Sequence, residues 1–301
     1  MKKARKSARR KVLPIEHWSH SSLMAFLRNP LAWHKRYVEK IYDAPRSPSA
    51  VVGSAGHKAL EHFYLQVSER YANAGGTASS EALLRKCYSG ADKATATALG
   101  LEYLRAVPDF ELNFGKAATR AAQKAKRASM EREYLQAIGF YLARAPRHDV
   151  LGVEVAAVAA VEGFALPLKA VSDLVVVSRE DPDAVDVIDH KFVDSFSSLG
   201  PAKPLFVIQA LFNYFTVRDR FGKPVRRFIV YECKKRRNAD GGAQLRRYVL
   251  DYAAHAESFE VFRRLVNDAT AELARPRLFL PNPSDMFEGE NSFDIYRLGL
   301  S

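Results

Sequence analysis

Two aspartates and a lysine recur where a strand pattern would turn them toward one side of a sheet. The stretch 171–191 reads V-S-D-L-V-V-V, then a polar turn R-E-D-P-D, then A-V-D-V-I-D-H-K. β-Branched runs on both sides of turn residues predict a β-hairpin. Side chains alternate along a strand with period two, so Val185, Val187, Asp189 and Lys191 share one face and His190 points to the other. In the first strand Val171, Asp173, Val175 and Val177 share a face. Two carboxylates brought together on these apolar faces would repel each other and lose solvation. A divalent cation between them removes both penalties. A lysine two residues after the second acid stays on its face, where it can orient a water or help to deprotonate it. Solvated charges at strand ends are the plain alternative, and these residues alone leave it open.

The elements around the hairpin must position those groups. From Val150 the run G-V-E-V-A-A-V-A-A-V predicts a strand carrying Glu154, which could also be an edge-strand charge. After Lys191 a polar loop leads to P-L-F-V-I-Q-A-L-F-N-Y-F-T-V-R-D-R-F, a helix on which Gln209, Asn213, Thr216 and Arg220 form one polar stripe among apolar residues. A stripe on a mostly buried helix needs partners. Two further strands follow, V-R-R-F-I-V-Y-E-C and A-Q-L-R-R-Y-V-L-D-Y, joined by a strongly basic turn, and then a helix over 253–273. The tail 276–293 reads as irregular.

Upstream, Ser19, Ser21 or Ser22 caps a helix beginning near Leu23. Pro30 breaks it, and Leu31 starts a second helix with Trp33 and Tyr37, more in keeping with core than with base stacking. Residues 43–52 read as a loop. Gly53 and Gly56 then permit close backbone approach at a helix start, with His57 on the first turn. Glu61 lies four residues on, so a local His57–Glu61 hydrogen bond is a live alternative. Residues 67–148 read as several helices, with Thr77, Ser79 or Ser80 as caps. Lys116, Arg120, Lys124, Lys126, Arg127 and Arg132 make a basic segment that would line a nucleic-acid groove or simply face solvent.

Composition bounds the possibilities. The 301 residues are 48% hydrophobic, enough for a sizeable core in one large domain or in a core with an inserted lobe. Net charge is +12, which favours a polyanionic partner, nucleic acid first. Residues 1–12 read as a disordered basic arm. Two cysteines, Cys87 and Cys233, give neither a disulfide framework nor a thiolate cluster, and a reducing cytosol is the simplest location. No run is apolar enough for a bilayer, and no secretion signal is visible.

Several pieces stand in a telling order: S-x-S-S-L-x-x-F-x-x-x-P-x-x-W-x-x-x-Y at Ser19–Tyr37, G-x-x-x-H at Gly53–His57, Glu154 on a first strand, Asp173 on a second, D-x-K at Asp189–Lys191, and Gln209 opening the next helix. Together they resemble the PD-(D/E)XK nuclease superfamily, in particular its RecB-type exonuclease branch. The resemblance implies an α/β fold with a restriction-endonuclease-like core, a mixed central sheet flanked by helices. In that fold 13–301 would be a single nuclease domain with 67–148 as a helical insertion or lobe. It implies that His57, Asp173, Asp189 and the His190 backbone carbonyl bind Mg²⁺ or Mn²⁺, with Glu154 in support. Lys191 would position the attacking water and stabilise charge, and Gln209 would hold the DNA or the lysine. Tyr214, Arg120, Lys124 and Arg127 would be further DNA contacts.

The implied activity is a metal-dependent DNA exonuclease of recombination or repair in a bacterial or phage-infected cytoplasm. The rivals are a structure-specific endonuclease on the same fold and a non-catalytic nucleic-acid-binding relative. With two cysteines no iron–sulfur cluster is expected. No Walker A motif is present, so a helicase or recombinase would be a separate chain. Two departures stand out. The glycine usual before the second-strand aspartate is replaced within 169–172. The tyrosine usual four residues after the glutamine is replaced by Asn213, with Tyr214 one residue late and about 100° further round the helix.

Overall fold

The expected hairpin is the centre of the sheet. The computed structural model describes residues 13–41, 45–75, 81–199, 203–239 and 241–282. The basic arm, the caps at Thr77, Ser79 and Ser80, and the far end of the tail lie outside them. Strands β3 (Leu168–Val177) and β4 (Val185–Val193) pair antiparallel, with Leu174 opposite Ile188 and Val177 opposite Val185. β5 (Val225–Lys234) pairs parallel with β4, and β6 (Leu245–Asp251) pairs antiparallel with β5. With β1 (Trp18–Ser19) and β2 (Val150–Ala159), both paired to β3, these make a six-stranded mixed sheet in the order β1-β3-β4-β5-β6, with β2 off that path. The fold is the expected α/β one, a mixed sheet flanked by helices.

The chain divides into two compact units. The first holds the described residues of 1–43, 160–169 and 259–301. Here Ser19 caps α1 (His20–Arg28) by accepting from the Ser22 backbone N–H at 3.2 Å. Asn29 caps α2 (Pro30–Trp33), and Pro30 takes the first helical position, where its missing N–H costs nothing. The Trp33 indole donates to Ser22 Oγ (3.0 Å) and the Trp18 indole to Thr270 Oγ1 (2.9 Å), all buried. The serine- and tryptophan-rich signature is therefore a packing device. Tyr37 stacks on Trp33 at 6.4 Å, in line with the core reading.

The second unit holds the described residues of 44–159 and 170–258. Its long helix α3 (Pro48–Asn73) begins earlier than expected, because Ser47 caps it and Pro48 opens it. His57 consequently sits in the third turn, not the first. Gly56 does permit a close approach: a Cβ there would lie 2.2 Å from the Phe192 ring. Gly53 faces open space, so close packing does not require it.

Helices α4 (Glu81–Gly90), α5 (Lys93–Ala106) and α6 (Arg120–Ala143) share one apolar core with α3 and the sheet, built from residues such as Phe63, Met130, Ile138, Leu174, Ile188 and Ile229. Each such side chain removed from water contributes roughly 1.5–3 kcal/mol. Helix α7 (Pro204–Phe221) ends on Gly222 at φ +63°, a left-handed position suited to glycine. The last helix, α8 (Ala256–Leu273), starts three residues later than expected because Tyr252–His255 forms a tighter 3₁₀ turn. Among the described residues no helix is long and apolar enough to cross a membrane.

Candidate active site

The β3–β4 ladder runs only as far as Leu174–Ile188. The next free backbone donor on β4, the His190 N–H, turns to the Asp173 carboxylate (2.7 Å to Oδ2). Asp173 thus occupies the place where the strands separate. Its Oδ2 also lies 3.3 Å from Nδ1 of His190 and 3.3 Å from Nδ1 of His57 on α3. His57 does not pair with Glu61, which instead bonds Lys58 at 2.8 Å.

Glu154 joins this group through a backbone kink. Its φ of +48° is left-handed, an unusual conformation for a non-glycine residue costing roughly 1–3 kcal/mol. Ligand atoms of His57, Glu154 and Asp173 all lie within 4.8 Å of one another. Burial, then the charge of Asp173, pushes the Glu154 carboxyl up to about 7. Burial opposes charge on His57, yet Asp173 overrides it and raises the imidazole to about 9. Burial likewise opposes ionisation of Asp173, but His57 and the hydrogen bonds from His190 and His57 hold it well below the usual carboxylate range.

Asp189 belongs to an adjoining cluster and is not part of the 4.8 Å group. Its Oδ1 accepts from the Gln209 amide on α7 (2.6 Å) and from Lys191 Nζ (3.0 Å). Its buried Oδ2 lies 2.8 Å from the same ammonium but accepts no aligned hydrogen bond. Although burial opposes it, the attraction of Asp189 and Asp173 raises the Lys191 pKa above an ordinary lysine. Lys191 is thus a held cation.

The polar stripe on α7 finds its partners. Gln209 reaches Asp189, Thr216 bonds the Phe212 carbonyl (2.9 Å), and Asn213 accepts from Ser172 Oγ (2.6 Å). The two departures from the resembled pattern therefore meet: Ser172, in the segment where the glycine is missing, bonds Asn213, where the tyrosine is missing. That bond ties α7 to the residue before Asp173.

The remaining sequence candidates separate. The Tyr214 ring packs on Tyr252 at 4.8 Å. Arg127 donates to the Leu104 and Val107 carbonyls (3.3 and 2.5 Å) and to Asp109 (2.7 Å), so its guanidinium ties down the end of α5. Arg120 and Lys124 are exposed on α6. Cys87 and Cys233 are both buried, the latter donating to the Ala137 carbonyl at 3.3 Å.

Sequence reasoning missed the aromatic side chains behind His190. Tyr141 OH lies 2.7 Å from His190 Nε2, and Tyr64 OH lies 2.7 Å from Tyr141 OH. Neither tyrosine stands in a motif. Only their place on the sheet-facing sides of α3 and α6 signals them.

The donor set fits a hard divalent cation: carboxylate oxygens with a single imidazole, where Asp173 already draws a proton onto His57 and burial, then Asp173, lifts Glu154. No curated protein sequence matches the chain. A sequence model of the PD-(D/E)XK nuclease superfamily matches residues 17–286. The chain belongs to that superfamily, whose members are usually metal-dependent nucleases.

Proposed function

We propose that this protein is a metal-dependent DNA exonuclease. The observation that carries the reading is His57 of α3 reaching Asp173 beside Glu154, an imidazole added to two acids, as in the RecB-type pattern that the sequence resembles. His57, Glu154 and Asp173 would hold Mg²⁺ or Mn²⁺, with Asp189 and the His190 backbone carbonyl completing the set. When bound, such an ion supplies Lewis acidity and neutralises charge on a phosphodiester.

The chain's own groups do the rest. Lys191, kept protonated by Asp189, donates N–H to an oxygen on which charge develops. Gln209 fixes Asp189 from α7, so Lys191 is held in one place. His57 would release its proton to solvent on joining the ligands of a cation. Exposed lysines and arginines attract the phosphate backbone. We place 13–301 as one nuclease domain with the helices of 67–148 beside the cleft. We place the activity in recombination or repair, in a cytoplasm, next to a separate helicase or recombinase.

The test is hydrolysis of linear and covalently closed circular DNA, each single- and double-stranded, with Mg²⁺, Mn²⁺ or EDTA. Metal-dependent loss of linear DNA alone is the expected result. Cutting of closed circles would replace the exonuclease with an endonuclease on the same fold. Binding without any cleavage would favour a non-catalytic relative.

A further inference from the structure

His190 contributes more than a backbone carbonyl. Its ring is 2% exposed and has two near-parallel aromatic neighbours, Tyr64 at 5.8 Å and 25° and Tyr231 at 6.1 Å and 18°. One ring nitrogen, Nδ1, faces Asp173 Oδ2 at 3.3 Å; the other, Nε2, faces Tyr141 OH at 2.7 Å. An ionised carboxylate can only accept, so a ring hydrogen bond to Asp173 takes the tautomer with its hydrogen on Nδ1. In the neutral ring Nε2 is then bare and accepts from Tyr141. Tyr141 in turn accepts from Tyr64, whose hydroxyl lies 2.7 Å away. Tyr64 has the Pro146 carbonyl as a second, longer neighbour at 3.3 Å. The donors therefore run Tyr64 to Tyr141 to His190, and the chain ends on the Asp173 carboxylate, which accepts. Both tyrosines are fully buried, and burial pushes their hydroxyls well above the usual phenol range, so each remains a donor.

We propose that His190, backed by Tyr141 and Tyr64, is a positioning residue that fixes the Asp173 carboxylate for a divalent cation. The proposal rests on the reading of Asp173 as a ligand to that cation. The physical reason is general: a ligating carboxylate that is itself hydrogen-bonded is held in its binding orientation, and loss of such an outer partner typically costs about 10–100-fold in affinity.

The test is calorimetric titration of Mn²⁺, without DNA, into the metal-free wild type and into Tyr141→Phe, His190→Ala, His190→Asn and Asp173→Asn. Thermal unfolding of each metal-free protein is recorded alongside. Tyr141→Phe should weaken Mn²⁺ binding about tenfold and His190→Ala up to about 100-fold. His190→Asn keeps a donor near the position of Nδ1 and should recover part of that loss. A purely structural role would lower the unfolding temperature and leave Mn²⁺ affinity unchanged. Wild-type affinity in Tyr141→Phe and His190→Ala, with binding lost in Asp173→Asn, would overturn the relay alone. Wild-type affinity in Asp173→Asn would overturn the ligand reading and the relay with it. If His190→Ala does not fold, the near-isosteric Tyr141→Phe with His190→Asn decides the matter.

Discussion

Strand β4 carries two buried acids three residues apart, Asp186 next to its start and Asp189 at its middle, and treats them in opposite ways. Near the start Asp186 faces Arg227 across the parallel β4–β5 ladder and accepts from its Nε (3.1 Å) and Nη2 (2.7 Å). The other arm of Arg227 donates to Glu180 (2.5 Å), which also accepts from Arg226 (3.2 Å). Both acids are paired by Arg226 and Arg227 through forked hydrogen bonds, with Arg179 and Arg247 lining the same cavity. Toward the middle of the strand Glu154, Asp173 and Asp189 share one close lysine, Lys191, with His57 and His190 beside Asp173. In one cluster every acid has its arginine; the other has more acid than cation and draws protons to compensate. A buried pair that only supports the fold satisfies its own charges. A site built to take an ion leaves them short.

The largest effect should come from breaking the acid-rich cluster. Lys191→Ala and Asp189→Ala should each lower cleavage on the order of 10³-fold while leaving DNA binding largely intact. Single-turnover cleavage read beside filter binding checks this, and wild-type rates in both variants would sink the assignment. Breaking the arginine-paired cluster should do the reverse. Asp186→Asn leaves Arg227 buried without its main partner and should cost about 3–5 kcal/mol in denaturant unfolding, with cleavage per folded molecule unchanged.

An effect of comparable size, spread over several pH units, should appear around Asp186 and Arg227. His148 lines a cavity there with Arg179, Asp186, Arg227 and Arg247. Burial, helped by Arg179, His190 and Arg247, holds its pKa down to about 3 from the ordinary 6.5. Between those values the unfolded chain binds a proton that the folded chain refuses. This contribution to stability is therefore complete above pH 6.5 and is lost as pH falls toward 3, with a slope of at most about 1.4 kcal/mol per pH unit. Chemical unfolding across that window should show a flatter profile for His148→Gln.

The smallest effects separate the basic residues of α6. Arg127→Ala should cost about 1 kcal/mol of stability, through its hydrogen bonds to the end of α5, and leave the salt dependence of DNA binding as it was. Arg120→Ala and Lys124→Ala should leave stability alone and each reduce the salt slope of binding by about one. A reduced slope in Arg127→Ala would return it to the DNA surface.

What could be read from the chain follows the range of the forces involved. The hairpin, the acids at Asp173 and Asp189, Lys191 and the α7 helix with Gln209 were legible because alternation, turn residues and motif order are local. The start of α3 was legible in principle, since Ser47-Pro48 is a capping signal, but the loop-like composition around it hid the cap. The division of the acids into two clusters was not legible. A strand pattern puts Asp173 and Asp189 on one face, whereas the strands separate after Leu174 and Asp173 bonds the backbone of β4 instead. The Tyr141–His190 contact and the Ser172–Asn213 bond join residues 49 and 41 positions apart, and no short window contains both partners. Arg127 looked like a surface cation because its carbonyl partners belong to a different helix.

The most direct test is cleavage of end-labelled linear DNA with Mn²⁺, followed by excess EDTA, using wild type, Asp173→Asn and Asp186→Asn adjusted to equal folded concentration. The account predicts that wild type and Asp186→Asn cut, that EDTA stops both, and that Asp173→Asn does not cut. Cleavage by Asp173→Asn at the wild-type rate, or cleavage that persists in EDTA, would contradict it.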